Sequence, residues 1–133
     1  MTIIVTDEGF APDTWDKGYT ALGDAANDAL ALDVPSDANP DDIPLTAEMI
    51  RVDFPSFADG RGFTIAQMLR LRGYEGRLRA KGHVISDQYA MARRTGFDEV
   101  EISQALAARQ PEDQWIFRAD WQKHDYQARM RGT

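Results

Sequence analysis

Apolar and charged residues alternate along several short stretches, and that period of two marks strands with one dry face. In Met49-Ile50-Arg51-Val52-Asp53-Phe54, residues Ile50, Val52 and Phe54 share a face, while Arg51 and Asp53 share the other. Pro55 lacks a backbone donor and ends this strand. The same alternation predicts strands over 30–34, stopped by Pro35, over 77–84, and over 99–102. Between them the period changes to that of a helix. Residues 64–72 carry Ile65, Met68, Leu69 and Leu71 as an apolar stripe, with Arg70 and Arg72 outward. Thr64-Ile65-Ala66-Gln67 has the pattern that caps a first helical turn, and Gly73 is placed to end the helix. Ser86 opens a second helix that runs to about Arg94 and is stopped by Gly96, and Ser103 caps a third.

The remaining segments are less patterned. Residues 2–5 suit a short strand, whereas 7–23 are rich in turn residues, with Phe10, Trp15 and Tyr19 as scattered anchors. Short helices are expected over 25–29 and within 41–47. Beyond Pro111, the aromatic residues Trp115, Phe117, Trp121 and Tyr126 stand amid charges, a tail expected to wrap the body or a partner. The chain therefore divides into an irregular N-terminal segment (1–29), a βα core (30–110) and a C-terminal tail (111–133), all within one domain.

This order predicts an α/β fold: a small parallel sheet of about four βα units with right-handed crossovers. A parallel sheet covered on both faces has near-continuous apolar strands. Here Asp33, Arg51, Asp53, Arg77, Arg79, Lys81, Glu99 and Glu101 fill alternate positions. Helices are thus expected mainly on one face, as in a half-barrel or an open sheet. The other face is expected to be hydrated and salt-bridged, and partly covered by the aromatic tail or a second subunit.

Charge changes this picture only locally. The net charge is −7, yet residues 1–50 hold eleven acids against Lys17 alone, while 51–94 hold nine bases against four acids. The blocks either neutralise one another in the fold or set a basic pocket for a small anion within an acidic shell. An acidic field of this size argues against extended nucleic-acid binding. There is no cysteine, which excludes disulfides, thiolate nucleophiles and cysteine-held clusters. No apolar run is long enough to span a membrane, the N-terminus does not read as a signal peptide, and the expected location is the cytoplasm. His83 and His124 are the only histidines, so no metal site is expected. No dinucleotide fingerprint follows a strand, and no cofactor is expected.

The candidate site is Phe57-Ala58-Asp59-Gly60-Arg61-Gly62-Phe63, between the carboxyl end of a strand and the amino end of a helix, where α/β proteins place ligands. Gly60 and Gly62 permit left-handed backbone and exposed amides, and Arg61 offers a planar fork to an anion. Alternatively, Asp59 caps a tight turn and Arg61 pairs with a carboxylate such as Asp53. Arg79 is a ligand contact or the partner of Glu101 or Asp53. His83, at the end of its strand, is a proton donor or a surface hydrogen-bonding group. Asp87 and Gln88 fall in a first helical turn, where Asp87 serves a ligand or the helix dipole.

The run from Phe57 to Phe63, then Leu78-Arg79-Ala80-Lys81-Gly82-His83-Val84, Asp87-Gln88, Arg94-Thr95-Gly96-Phe97-Asp98 and Tyr126-Gln127 resembles, in order, the bacterial domain of unknown function 934. The resemblance covers roughly residues 30–128. His83 stands where that family more often has an acid, and Thr64 where it has serine. The resemblance implies an oxidoreductase label tied to sulfite reduction. The residues themselves lack redox equipment. Three readings follow: a non-redox accessory protein binding an anion or an enzyme of sulfite or sulfate assimilation, an enzyme acting on a small anion, or an assembly subunit that includes a homo-oligomer.

Overall fold

The computed structural model describes residues 2–24 and 29–119. Its strands are β1 (Thr2–Thr6), β2 (Gly9–Pro12), β3 (Thr20–Ala21), β4 (Ala31–Val34), β5 (Met49–Phe54), β6 (Arg77–Gly82) and β7 (Glu99–Ser103). Its helices are α1 (Arg61–Leu71), α2 (Tyr89–Thr95), α3 (Gln104–Arg109) and α4 (Glu112–Phe117). One sheet runs in the order β2-β1-β7-β6-β5-β4-β3. Strands β3 to β7 pair in parallel, and β1 pairs antiparallel with both β2 and β7. The sheet is mostly parallel but larger than the expected four units.

The difference lies in the N-terminal segment, where the strand expected over 2–5 is β1 and two further strands, β2 and β3, stand where turn-rich chain was expected. Gly9, at φ 113°, allows the tight reversal that folds β2 back on β1. Glu112 on α4 holds this edge, its Oε2 accepting from the Phe10 amide at 2.8 Å. The helix expected over 25–29 lies almost wholly outside the described residues, and 40–42 form a single 3₁₀ turn.

Register explains the core. Leu32, Ile50 and Leu78 stand abreast on β4, β5 and β6, and Val34, Val52, Ala80, Val100 and Val5 form the next row. All are buried, and they join Phe63, Ile65, Ala66 and Leu69 of α1 with Tyr89 and Ala92 of α2. Burying each large side chain of this set contributes about 1.5–3 kcal/mol. The buried face of α1 differs from the expected stripe, because Met68 and Leu71 are exposed while Gly62, Phe63 and Ala66 face inward. Arg70, expected outward, donates to the carbonyls of Gly96, Tyr74 and Gly76 and ties the ends of α1 and α2 together.

The stop signals at Gly73 (φ 100°) and Gly96 (φ 118°) hold, as does the Ser103 cap, whose Oγ accepts from the Leu106 amide at 3.1 Å. Two start signals do not. Thr64 lies inside α1, which begins at Arg61 because Asp59 already accepts from the Arg61 amide. Ser86 begins a 3₁₀ turn ahead of α2, and Gln88 Oε1 takes the preceding Ile85 amide. The tail also starts as core rather than wrapping. Trp115 is wholly buried, edge-on to Tyr89, with its indole nitrogen donating to the Gln110 carbonyl. Trp121 and Tyr126 lie outside the described residues, as do His124 and Gln127.

Candidate functional site

The polar face of the sheet is a row of charges in register: Asp33, Arg51, Arg79 and Glu99 stand side by side from β4 to β7. Arg79, at 0% exposure, is the centre. Its Nε donates to Glu99 at 2.6 Å, and its Nη1 to Glu101 at 2.8 Å, to Asp13 at 3.1 Å and to the Tyr19 hydroxyl at 3.0 Å. Nη2 completes the set on Asp13 at 3.2 Å. Arg77 forks onto Glu99, and Arg51 forks onto Asp33 at 2.6 and 2.8 Å while also reaching Glu101. The Arg51 guanidinium lies 3.5 Å from the Tyr19 ring centroid, a stacked cation–π contact.

The cover over Arg79 and Arg51 is therefore the loop of residues 13–19, part of the segment expected to be rich in turns. Physical need explains the choice. A dry guanidinium requires anionic partners above as well as beside it, and Asp13 and Tyr19 supply a carboxylate and a ring. Burial pushes the Asp13 carboxyl up, but its bonds from Arg79 and the Trp15 amide more than offset this, and its pKa lies below the usual value. Burial raises the Tyr19 hydroxyl and keeps it neutral. Arg79, expected among the ligand contacts or as a scaffold pair, is fully engaged by four side chains, and Asp53 is not among them.

The loop before α1 is built differently. Asp59 Oδ1 accepts from the Arg61 amide and Nε, and Oδ2 accepts from Nη2 at 2.8 Å. Arg61 thus pairs with Asp59, not Asp53, and also donates to Ser36 Oγ at 3.0 Å. The Arg61 side chain is 60% exposed, and its Nη1 has no partner among the described residues. The Arg61 fork, followed by the Arg61 amide, holds the Asp59 carboxyl well below the usual carboxylate range. Neither glycine uses the left-handed backbone expected of it, and Gly60 has φ −92°. Gly62 is needed for close approach instead, since a Cβ there would stand 2.5 Å from the Phe54 ring.

His83 and Gln88 brace the same loop. His83 Nδ1 lies 3.1 Å from the Phe54 carbonyl, and its ring meets Phe57 edge-on. Gln88 Nε2 donates to the Phe57 carbonyl at 3.1 Å. Asp87 does not join them. It pairs with Arg118 at 2.9 Å, on a groove of about 490 Å³ with Asp113, Gln114 and Phe117.

A second groove, of about 300 Å³, opens at the carboxyl ends of β4, β5 and β6 and is lined by Asp33, Val34, Pro35, Arg51, Asp53 and Lys81. Arg61 adjoins this end through Ser36, the residue after Pro35. Asp53 and Lys81 are opposite each other in register, yet neither forms an ion pair among the described residues. Sequence reasoning placed both on the charged face but missed them as site residues. The available signal was position, since each is the last charged side chain before its strand ends.

Among the described residues no three or more histidine or acidic side chains form a cluster able to hold a metal ion, and no helix is long and apolar enough to cross a membrane. No curated protein and no solved structure matches the chain. Residues 21–133 match the model of a bacterial protein family of unknown function, DUF934, and the chain belongs to that family.

Proposed function

We propose that this protein is a non-redox accessory protein of sulfite or sulfate assimilation that holds a small anion at the carboxyl ends of its parallel strands. The observation that carries the reading is the groove beside β4–β6, where Lys81 offers an ammonium without an ion-pair partner among the described residues, at the strand ends that Arg61 adjoins through Ser36. Such groups at strand ends and a helix start attract anions. The sulfur chemistry rests on the family resemblance, and its partner would be an enzyme of sulfite reduction. The consecutive strand order from β3 to β7 supports a one-sided, half-barrel-like sheet, with helices on the apolar face and the charged face left to the N-terminal loop and ligand. Lack of cysteine favours binding over catalysis of electron transfer.

Calorimetric titration with sulfite and with sulfate tests this. The wild-type chain should bind at least one of them. Lys81→Ala should weaken that binding about tenfold or more, as loss of a charged hydrogen-bond donor does. Failure of the wild-type chain to bind either, or unchanged affinity in the variant, rejects the reading.

A further inference from the structure

The lining of the strand-end groove is electrically balanced: Arg51 and Lys81 against Asp33 and Asp53. Two of the four are spent, because Arg51 and Asp33 bind each other through two hydrogen bonds. Deeper on the same face Arg77, Arg79, Glu99, Glu101 and Asp13 also satisfy one another. What remains is one cation and one anion, Lys81 and Asp53, on adjacent strands and on the same face. Parallel strands lie about 4.8 Å apart, so a cross-strand Lys–Asp pair is ordinarily within reach of an ion pair. Here the two form no ion pair, in a groove whose remaining lining is Pro35 and Val34, the latter with its side chain in the core.

We infer that the groove takes a small zwitterion, whose anionic group, sulfonate or carboxylate, meets Lys81 and whose ammonium meets Asp53. The inference rests on the small-anion reading for its Lys81 half and adds the ammonium. A bare dianion in a neutral lining gains at Lys81 but is repelled by Asp53 at comparable range. A zwitterion satisfies both groups, and two or three carbons between its charges lie against Pro35. At about 300 Å³ the groove is at the small end of ligand sites, which suits a molecule of this length.

The test compares ligands that differ only in the ammonium: taurine against ethanesulfonate, and β-alanine against propionate, titrated alongside sulfite. In the wild-type chain at least one zwitterion should bind about tenfold more tightly than its amine-free counterpart. Asp53→Asn should abolish that preference while retaining the anion's own binding, and Lys81→Ala should weaken every ligand. If sulfite or ethanesulfonate binds as tightly as taurine, and Asp53→Asn changes nothing or improves binding, the zwitterion is refuted and the simple anion site stands. If no ligand binds, both readings fall. If neither variant alters binding, but a double-mutant cycle of Asp53→Asn and Lys81→Ala shows coupled loss of stability, the pair is an ordinary ion pair and the inference is overturned.

Discussion

Two arginine–carboxylate constellations sit on this sheet, and they differ in almost everything but chemistry. Arg79 is enclosed by Glu99, Glu101, Asp13 and Tyr19 with no exposure, whereas the Arg61 side chain that holds Asp59 is mostly exposed. A buried guanidinium is expensive to desolvate, and removing it takes from Asp13 its cation and from Glu99 and Glu101 one of two, leaving them Arg77 and Arg51. An exposed fork is screened by water and contributes little to folding, so it is available for binding. The lesson is that a motif-borne arginine is not a site by virtue of its neighbours in sequence. Arg61 and Arg79 belong to equally dense motifs, and burial alone separates scaffold from candidate ligand contact.

The sharpest way to break the comparison is Arg79→Met. It should destabilise the fold by about 3–5 kcal/mol at neutral pH, read by urea unfolding, because it leaves the Asp13 carboxylate without its cation and removes the central donor of Glu99 and Glu101. A neutral result with lost ligand binding would move Arg79 into the site. Next in size, Gly62→Ala should cost about 1–3 kcal/mol, since the added methyl meets the Phe54 ring. Alanine's better helix propensity makes an unchanged or raised stability the contrary result, and that would show that the Phe54 ring yields to the methyl.

Asp13→Asn removes one carboxylate from Arg79 but leaves Glu99 and Glu101 in place. A loss of about 1 kcal/mol is expected, with faster proteolysis within residues 13–19, read by mass spectrometry of the cleaved fragments. No change in either would mean that the loop is not held through Arg79. Smallest of all in stability is Arg61→Ala. Its melting temperature should stay close to wild type while sulfite affinity falls, and a drop of many degrees would make Arg61 architectural.

Much of the frame was legible because periodicity reports burial. The alternation over 49–54 marked β5 with the bounds observed, and mixed signs across strands implied a paired charged face. Of the N-terminal strands, β1 was legible over residues 2–5, whereas β2 and β3 were not. Pro12 and the two-residue β3 carry too little pattern to outweigh the surrounding turn residues. Helix starts failed for a related reason. A Thr-x-x-Gln pattern marks where a helix is able to begin, but Asp59 satisfies the Arg61 amide three residues earlier. The covering of Arg79 by Asp13, 66 residues away, has no local signature at all. The groove is an intermediate case, since position marks Asp53 and Lys81 as the last charges of their strands but only register reveals that they face each other.

The most direct test of the scaffold claim is the pH dependence of the unfolding free energy of wild type and Arg79→Met. In the folded wild type the Asp13 carboxyl titrates below its ordinary 3.8, so it contributes stability above that pH. That contribution is lost as pH falls through the lower folded value. In Arg79→Met the Asp13 carboxylate loses the cation that holds it ionised, and protonation relieves it. The stability gap should therefore be widest near pH 7 and narrow steadily below pH 4. A gap that stays constant from pH 7 to pH 3 would assign the loss to packing, and the absence of any gap would contradict the account of Arg79 as the charged centre of the fold.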